Sequence, residues 1–184
     1  MKGRALFGFA ALALLTALMA QDTLTPAKRE YVRFEPRAKI SVRPGQPAPI
    51  TFTFHIQPGY HINSHQPSMP ELIPTQLHFS FPSSDIAIGK VQYPAGTLMN
   101  FPFDPSTKLS VYSGDVVIKA LVAPTAKAAL GSFTVHGELA YQACDNNSCY
   151  PPKKLPIEFA VDITKGTSGV PRARPTRTSP HIHN

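Results

Sequence analysis

An all-β sandwich is the fold class that this sequence predicts, on three observations. Apolar residues recur at period two in several separate stretches, the signature of strands with one buried face. Twenty prolines are scattered along the chain and interrupt nearly every window long enough for a helix. No window carries a sustained amphipathic helical pattern. Seven or eight short strands with Pro- and Gly-containing turns describe an antiparallel sandwich of immunoglobulin-like architecture. The Cys…Trp…Cys core of antibody domains is absent, because the chain has no Trp and its two cysteines lie close together.

The strands follow in chain order. AKISV (38–42) is short and ends at the turn RPGQP. TFTFHIQ (51–57) alternates Phe52, Phe54 and Ile56 with Thr51, Thr53 and His55, and stops at QPGY. QLHFSF (76–81) alternates Leu77, Phe79 and Phe81 with Gln76, His78 and Ser80. IAIGKVQY (86–93) and VVIKALV (116–122) follow, the latter ending in VAPTAKAALG. SFTVHGELAYQA (132–143) turns Phe133, Val135, Leu139 and Tyr141 to one face, and LPIEFAVDI (155–163) does the same with Leu155, Ile157, Phe159 and Val161.

The ends read differently. Residues 1–20 place Lys2 and Arg4 before an apolar run from Ala5 to Ala20, which predicts a secretory signal peptide, with an uncleaved membrane anchor as the alternative. The run is short against the roughly 20 apolar residues that a membrane span needs. Residues 21–29 form a linker, residues 30–163 the sandwich domain, and residues 164–184 a Pro-, Thr- and Arg-rich tail expected to be disordered. The predicted location is periplasmic or secreted, where disulfides persist.

The formal charge of +7 does not indicate nucleic-acid binding. Lys2, Arg4, Lys165, Arg172, Arg174 and Arg177 lie outside residues 21–163, leaving 12 basic against 11 acidic residues within them. A nucleic-acid footprint should lie on the domain itself. The tail charge suits at most weak electrostatic contact with an anionic surface.

Both cysteines, Cys144 and Cys149, stand in YQACDNNSCYPP, in the connection between the last two predicted strands. Asp145, Asn146, Asn147 and Ser148 are turn formers, so the loop can bring the pair to the 5.5–6 Å Cα separation that disulfides favour. Closing so short a loop is worth only about 2 kcal/mol in the chain-entropy account. An exposed disulfide is also open to thiolate attack. These residues leave two readings open: a redox pair, or a structural hairpin disulfide in a non-catalytic protein-binding module. Tyr141, Tyr150 and Pro151 flank the pair and are candidates to support it. The spacing is not Cys-x-x-Cys and no helix follows to lower a thiol pKa, so a redox pair here would depend on an activated thiol from its partner.

Other chemistry has little anchor. His61, His65 and Met69 recur every four residues, and imidazole plus thioether suits copper, but strand spacing does not gather them on one face. His181 and His183 lie in the tail. The acids are scattered singly, without a hydrolase constellation.

YQAC, a short polar loop and CYPP, together with GYHINSHQPS (59–68) and KLSVYSGDVVI (108–118), resemble the N-terminal periplasmic domain of the DsbD thiol:disulfide interchange family. The resemblance covers most of residues 30–163. It implies an immunoglobulin-like domain that relays electrons through Cys144 and Cys149 and needs no cofactor. It further implies that Cys149 forms mixed disulfides with partners and Cys144 resolves them. The implied donor is a thioredoxin-like or membrane thiol reductase, and the implied acceptors are oxidised periplasmic proteins. A cap loop with an aromatic ring shields the pair in that family; position before KLSVY assigns this role to Phe101 or Phe103. The chain departs from the family pattern by one residue fewer between the cysteines, and it corresponds to the family's N-terminal domain alone.

Overall fold

A computed structural model describes residues 29–36, 39–81 and 83–165. The predicted signal peptide, the linker apart from Arg29, and the tail beyond Lys165, with His181 and His183, lie outside the described residues. Among the described residues there is no helix, and none long and apolar enough to cross a membrane.

Twelve strands form among the described residues, more than the seven or eight expected. They are β1 (Val32–Glu35), β2 (Ile40–Val42), β3 (Ala48–Ile56), β4 (His61–Asn63), β5 (Gln76–Ser80) and β6 (Ile86–Gln92). The remainder are β7 (Thr97–Phe101), β8 (Asp104–Tyr112), β9 (Asp115–Pro124), β10 (Gly131–Tyr141), β11 (Ala143–Cys144) and β12 (Lys153–Ile163). Two four-stranded sheets, β1-β3-β9-β6 and β2-β12-β10-β5, make an immunoglobulin-like sandwich. A third sheet, β11-β4-β8-β7, carries the cysteine loop. Pairing is antiparallel except between β12 and β2, where Val161 to Ile163 run parallel to Ile40 to Val42.

The alternation in the sequence is the alternation of burial. Ile50, Phe52, Phe54 and Ile56 of β3 are buried, as are Val116, Ile118, Ala120 and Val122 of β9. Across the sandwich Phe52 meets Phe159 at 5.3 Å and Phe79 at 5.5 Å between ring centroids. Such aromatic contacts add to the area burial that dominates the core. Phe81, expected to face inward, is exposed because β5 ends at Ser80.

β10 and β12 pair along their full lengths, from Gly131 opposite Ile163 to Tyr141 opposite Lys153. That register places residues 142–152 at one end of the sandwich, where sequence pattern put them. The third sheet packs there through Ile62, Tyr112 and Ala143, which join the main core. The short connection Ser113–Gly114 carries the chain from β8 in the third sheet to β9 in the sandwich, and Gly114 there adopts φ 64°, a left-handed conformation that favours glycine. A smaller apolar cluster of Phe101, Leu109 and Val111, with Met69 and Leu72 against it, underlies β7 and β8.

Candidate functional site: the cysteine hairpin

The four residues between the cysteines form a turn for a readable reason. Asp145 Oδ1 accepts from the backbone N–H of Asn147 (2.8 Å) and of Ser148 (2.9 Å), while Asp145 N–H donates to Ser148 O (3.0 Å). This is the local side-chain-to-backbone bonding that makes Asp a turn former. The Tyr150 hydroxyl donates to Asp145 Oδ2 at 2.5 Å, and Tyr150 N–H donates to Ala143 O at 2.8 Å. The Tyr150 hydroxyl and the two backbone N–H groups hold Asp145 below the usual carboxylate range. The same bond, with partial burial, pushes Tyr150 up to about 12.

Cys144 and Cys149 face each other as an isolated antiparallel bridge and are disulfide-bonded. Their Cα atoms are 3.9 Å apart, nearer than the separation expected from sequence, because the two residues are direct cross-strand partners. The expected exposure holds for one sulfur-bearing residue only. Cys149 is exposed, whereas Cys144 is 1% exposed, since it belongs to β11 and is covered by the third sheet.

β11 is paired with β4, with Ala143 opposite Ile62 and Cys144 opposite His61. β4 in turn pairs with β8, Ile62 opposite Tyr112. Asn63 ties this layer to the loop: its Nδ2 donates to Ile73 O (3.0 Å) and to Gln142 Oε1 (3.3 Å), and Gln142 Nε2 donates to Tyr150 O (3.2 Å). The chain on both sides of the cysteines is thus anchored by partly buried amide hydrogen bonds, and polar groups withdrawn from water are costly to leave unpaired.

The aromatic residues divide between two groups. Tyr150 stacks on Tyr31 (centroids 4.8 Å), Tyr60 meets Tyr31 edge-on (4.9 Å), and Lys153 Nζ lies 4.5 Å from the Tyr31 ring centre. This ring cluster borders the Cys149 side. On the Cys144 side, Phe101 stacks on His61 at 4.0 Å, and Phe103 stacks on Phe101 at 5.5 Å. Phe101 is 3% exposed and Phe103 is 43% exposed, so the three rings run from the interior to the surface at the β7–β8 turn.

The other sequence candidates fall as follows. Tyr141 is buried and its hydroxyl lies against the backbone of Tyr31 and Val32; burial pushes it up to about 12. It ties the end of β10 to the chain at the start of β1. Pro151 is exposed just beyond Tyr150. His65 stacks on Tyr93 at 3.7 Å, with Nδ1 3.0 Å from Thr75 O, and lines a cavity of about 530 Å³ that includes neither cysteine nor His61. Met69 packs into the Phe101 cluster. The two imidazoles are held by different rings, and among the described residues no group of three or more His, Cys, Asp or Glu side chains is placed to hold a metal. Sequence reasoning missed Tyr31 and Tyr60 as neighbours of the pair, took Asp145 only as a turn former, and weighed the His61 side chain only as a copper ligand or a surface residue. GYHINSHQPS contained the signal for Tyr60 and His61, but not their opposite strand.

The family model for the N-terminal domain of the thiol:disulfide interchange protein DsbD matches residues 28–160. A search of curated proteins gives no match. Among solved structures, the Neisseria meningitidis DsbD N-terminal domain in its reduced form is 19% identical, covering 61% of this chain and 76% of that one, with a TM-score of 0.39. The N-terminal periplasmic domain of ScsB from Proteus mirabilis is 15% identical over 74% of this chain and 51% of its own, with a TM-score of 0.45. The complex between the DsbD and PilB N-terminal domains of Neisseria meningitidis gives 21% identity over 76% of this chain and 88% of that chain, with a TM-score of 0.39.

Proposed function

The chain belongs to the family of the N-terminal domain of the thiol:disulfide interchange protein DsbD, and from that membership we propose that it relays electrons outside the cytoplasm through the Cys144–Cys149 pair. The electrons pass from a membrane or thioredoxin-like thiol reductase to oxidised periplasmic proteins. Both partners are proteins, as in the Neisseria complex of the DsbD and PilB domains.

The observation that carries the reading is the unequal accessibility of the two cysteines: Cys149 is exposed and Cys144 is buried. Thiol–disulfide exchange requires in-line approach of a thiolate to one sulfur. The exposed Cys149 is the reachable one, and Cys144 is then the leaving group and later the resolving thiol. In the reducing half-reaction a donor thiolate bonds to Cys149, the Cys144–Cys149 bond breaks, and its electron pair leaves on Cys144. Cys144 supplies the leaving sulfur from a shielded place where no second partner competes. The Phe101 ring, stacked on the residue opposite Cys144, supports a capping role for the β7–β8 turn, with Phe103 as its exposed outer face.

The test is trapping. Cys144→Ser should accumulate mixed disulfides with partner proteins through Cys149, and Cys149→Ser should accumulate none. Equal trapping by both variants, or none by either while the native protein turns over, would overturn the assignment.

A further inference from the structure

We propose that His61 exchanges a proton with the Cys144 thiol each time the pair opens or closes, an inference that rests on the exchange function proposed above. His61 and Cys144 are directly opposite in the β4–β11 ladder. Side chains of directly opposed antiparallel residues share one face of the sheet, with Cβ atoms about 4.5–5.5 Å apart. Both residues are buried, His61 at 5% exposure. Its ring is fixed by the stack on Phe101.

His61 Nε2 is buried and has no hydrogen-bond partner among the described protein groups. Buried polar atoms in native proteins are normally paired, so an unpaired imidazole nitrogen across from a buried sulfur needs an explanation. Opening the disulfide supplies one, because it creates a thiol or thiolate at Cys144 within the same layer. The acidic group that bears on the ring is Asp145; the faces toward β7 and β8 present Phe101 and its apolar cluster. Burial lowers the imidazole below its usual value, against the opposing pull of Asp145, so the ring is neutral at neutral pH and can take up a proton.

The chemistry balances without any added reagent. On closing, Cys144 Sγ–H gives its proton to Nε2 of neutral His61. The thiolate then attacks Cys149 Sγ of the mixed disulfide, and the bond between Cys149 and the partner sulfur breaks. The electron pair leaves on the partner sulfur, and the imidazolium returns its proton through solvent to that thiolate. Opening is the reverse: the imidazolium protonates Cys144 as it departs. Without such a base, a thiol removed from water would ionise poorly, since burial disfavours the charged form.

The experiment needs no partner protein. In Cys149→Ser the lone Cys144 thiol is titrated by thiolate ultraviolet absorbance, and His61 by its ring proton NMR shifts, over the same pH range. The expected result is two coupled steps seen by both probes. The added substitution His61→Phe, which keeps a ring on Phe101, should displace thiolate formation upward by a unit or more, about tenfold less thiolate at neutral pH. His61→Gln should do likewise, since an amide can donate a hydrogen bond but takes no proton. Should either variant fail to fold, comparison of the His61 titration in Cys149→Ser and in Cys144→Ser/Cys149→Ser keeps the ring in place. An imidazole curve indifferent to the thiol, or a thiolate curve indifferent to His61, overturns the proposal. Failure of exchange in the native protein, with coupled titration intact, would instead sink the carrier function and leave the proton link standing.

Discussion

Reducing the Cys144–Cys149 bond in the otherwise native protein separates a staple from a carrier. The bond closes a loop of six residues, for which chain entropy predicts a contribution of about 2 kcal/mol. The structure gives two reasons why the loss should not be greater. The turn is independently held by Asp145 and by Tyr150 N–H to Ala143 O, so the reduced loop keeps its shape. The main core lies between two sheets that the bond does not cross-link. A thermodynamic cycle then fixes the redox consequence: the folded pair should have a reduction potential about 45 mV below that of the urea-unfolded chain, at 30 mV per 1.4 kcal/mol. Urea melts of oxidised and reduced protein give the first number, and glutathione titrations of folded and unfolded chain give the second. Unfolding on reduction, a stability loss above about 5 kcal/mol, or a folded potential below about −300 mV would refute the carrier reasoning and leave a structural disulfide.

Three further outcomes are expected. Phe101→Ala removes a buried ring and the stack on His61; it should cost about 3 kcal/mol or somewhat more and quicken reduction of the disulfide by a small thiol, measured by stopped-flow, whereas an unchanged rate would remove the ring from any capping role. Leu139→Ala, near the C-terminal end of β10 and fully buried, should cost about 2–5 kcal/mol in a urea melt, with exchange kinetics of the folded fraction unaltered. The lowered folded-state value of His61 means that the unfolded chain takes up its proton first as pH falls. The oxidised domain should therefore lose stability from about pH 6.5 downward until the folded ring also protonates, and His61→Phe should flatten that limb of the stability–pH curve.

What the sequence reveals depends on how each strand is buried. β3, β9, β10 and β12 have one face in the sandwich core, and their alternation is plain in the text of the chain. β4 is buried at all three positions, so it has no alternation; its polar members are accommodated instead, Asn63 by Ile73 and Gln142, His61 by the Phe101 ring. β7 is exposed at four of its five positions and equally lacks a pattern. β8 and β1 were also missed, one read only as a resembling segment and the other too short to register. The cysteine pair was legible because a small turn needs only local residues. Its surroundings were not, because the pairing of His61 with Cys144 joins distant parts of the chain through a two-residue ladder. The third sheet is thus hidden from periodicity at both of its extremes: β4 is buried on both faces, and β7, at the sheet edge, is exposed at every position but Phe101.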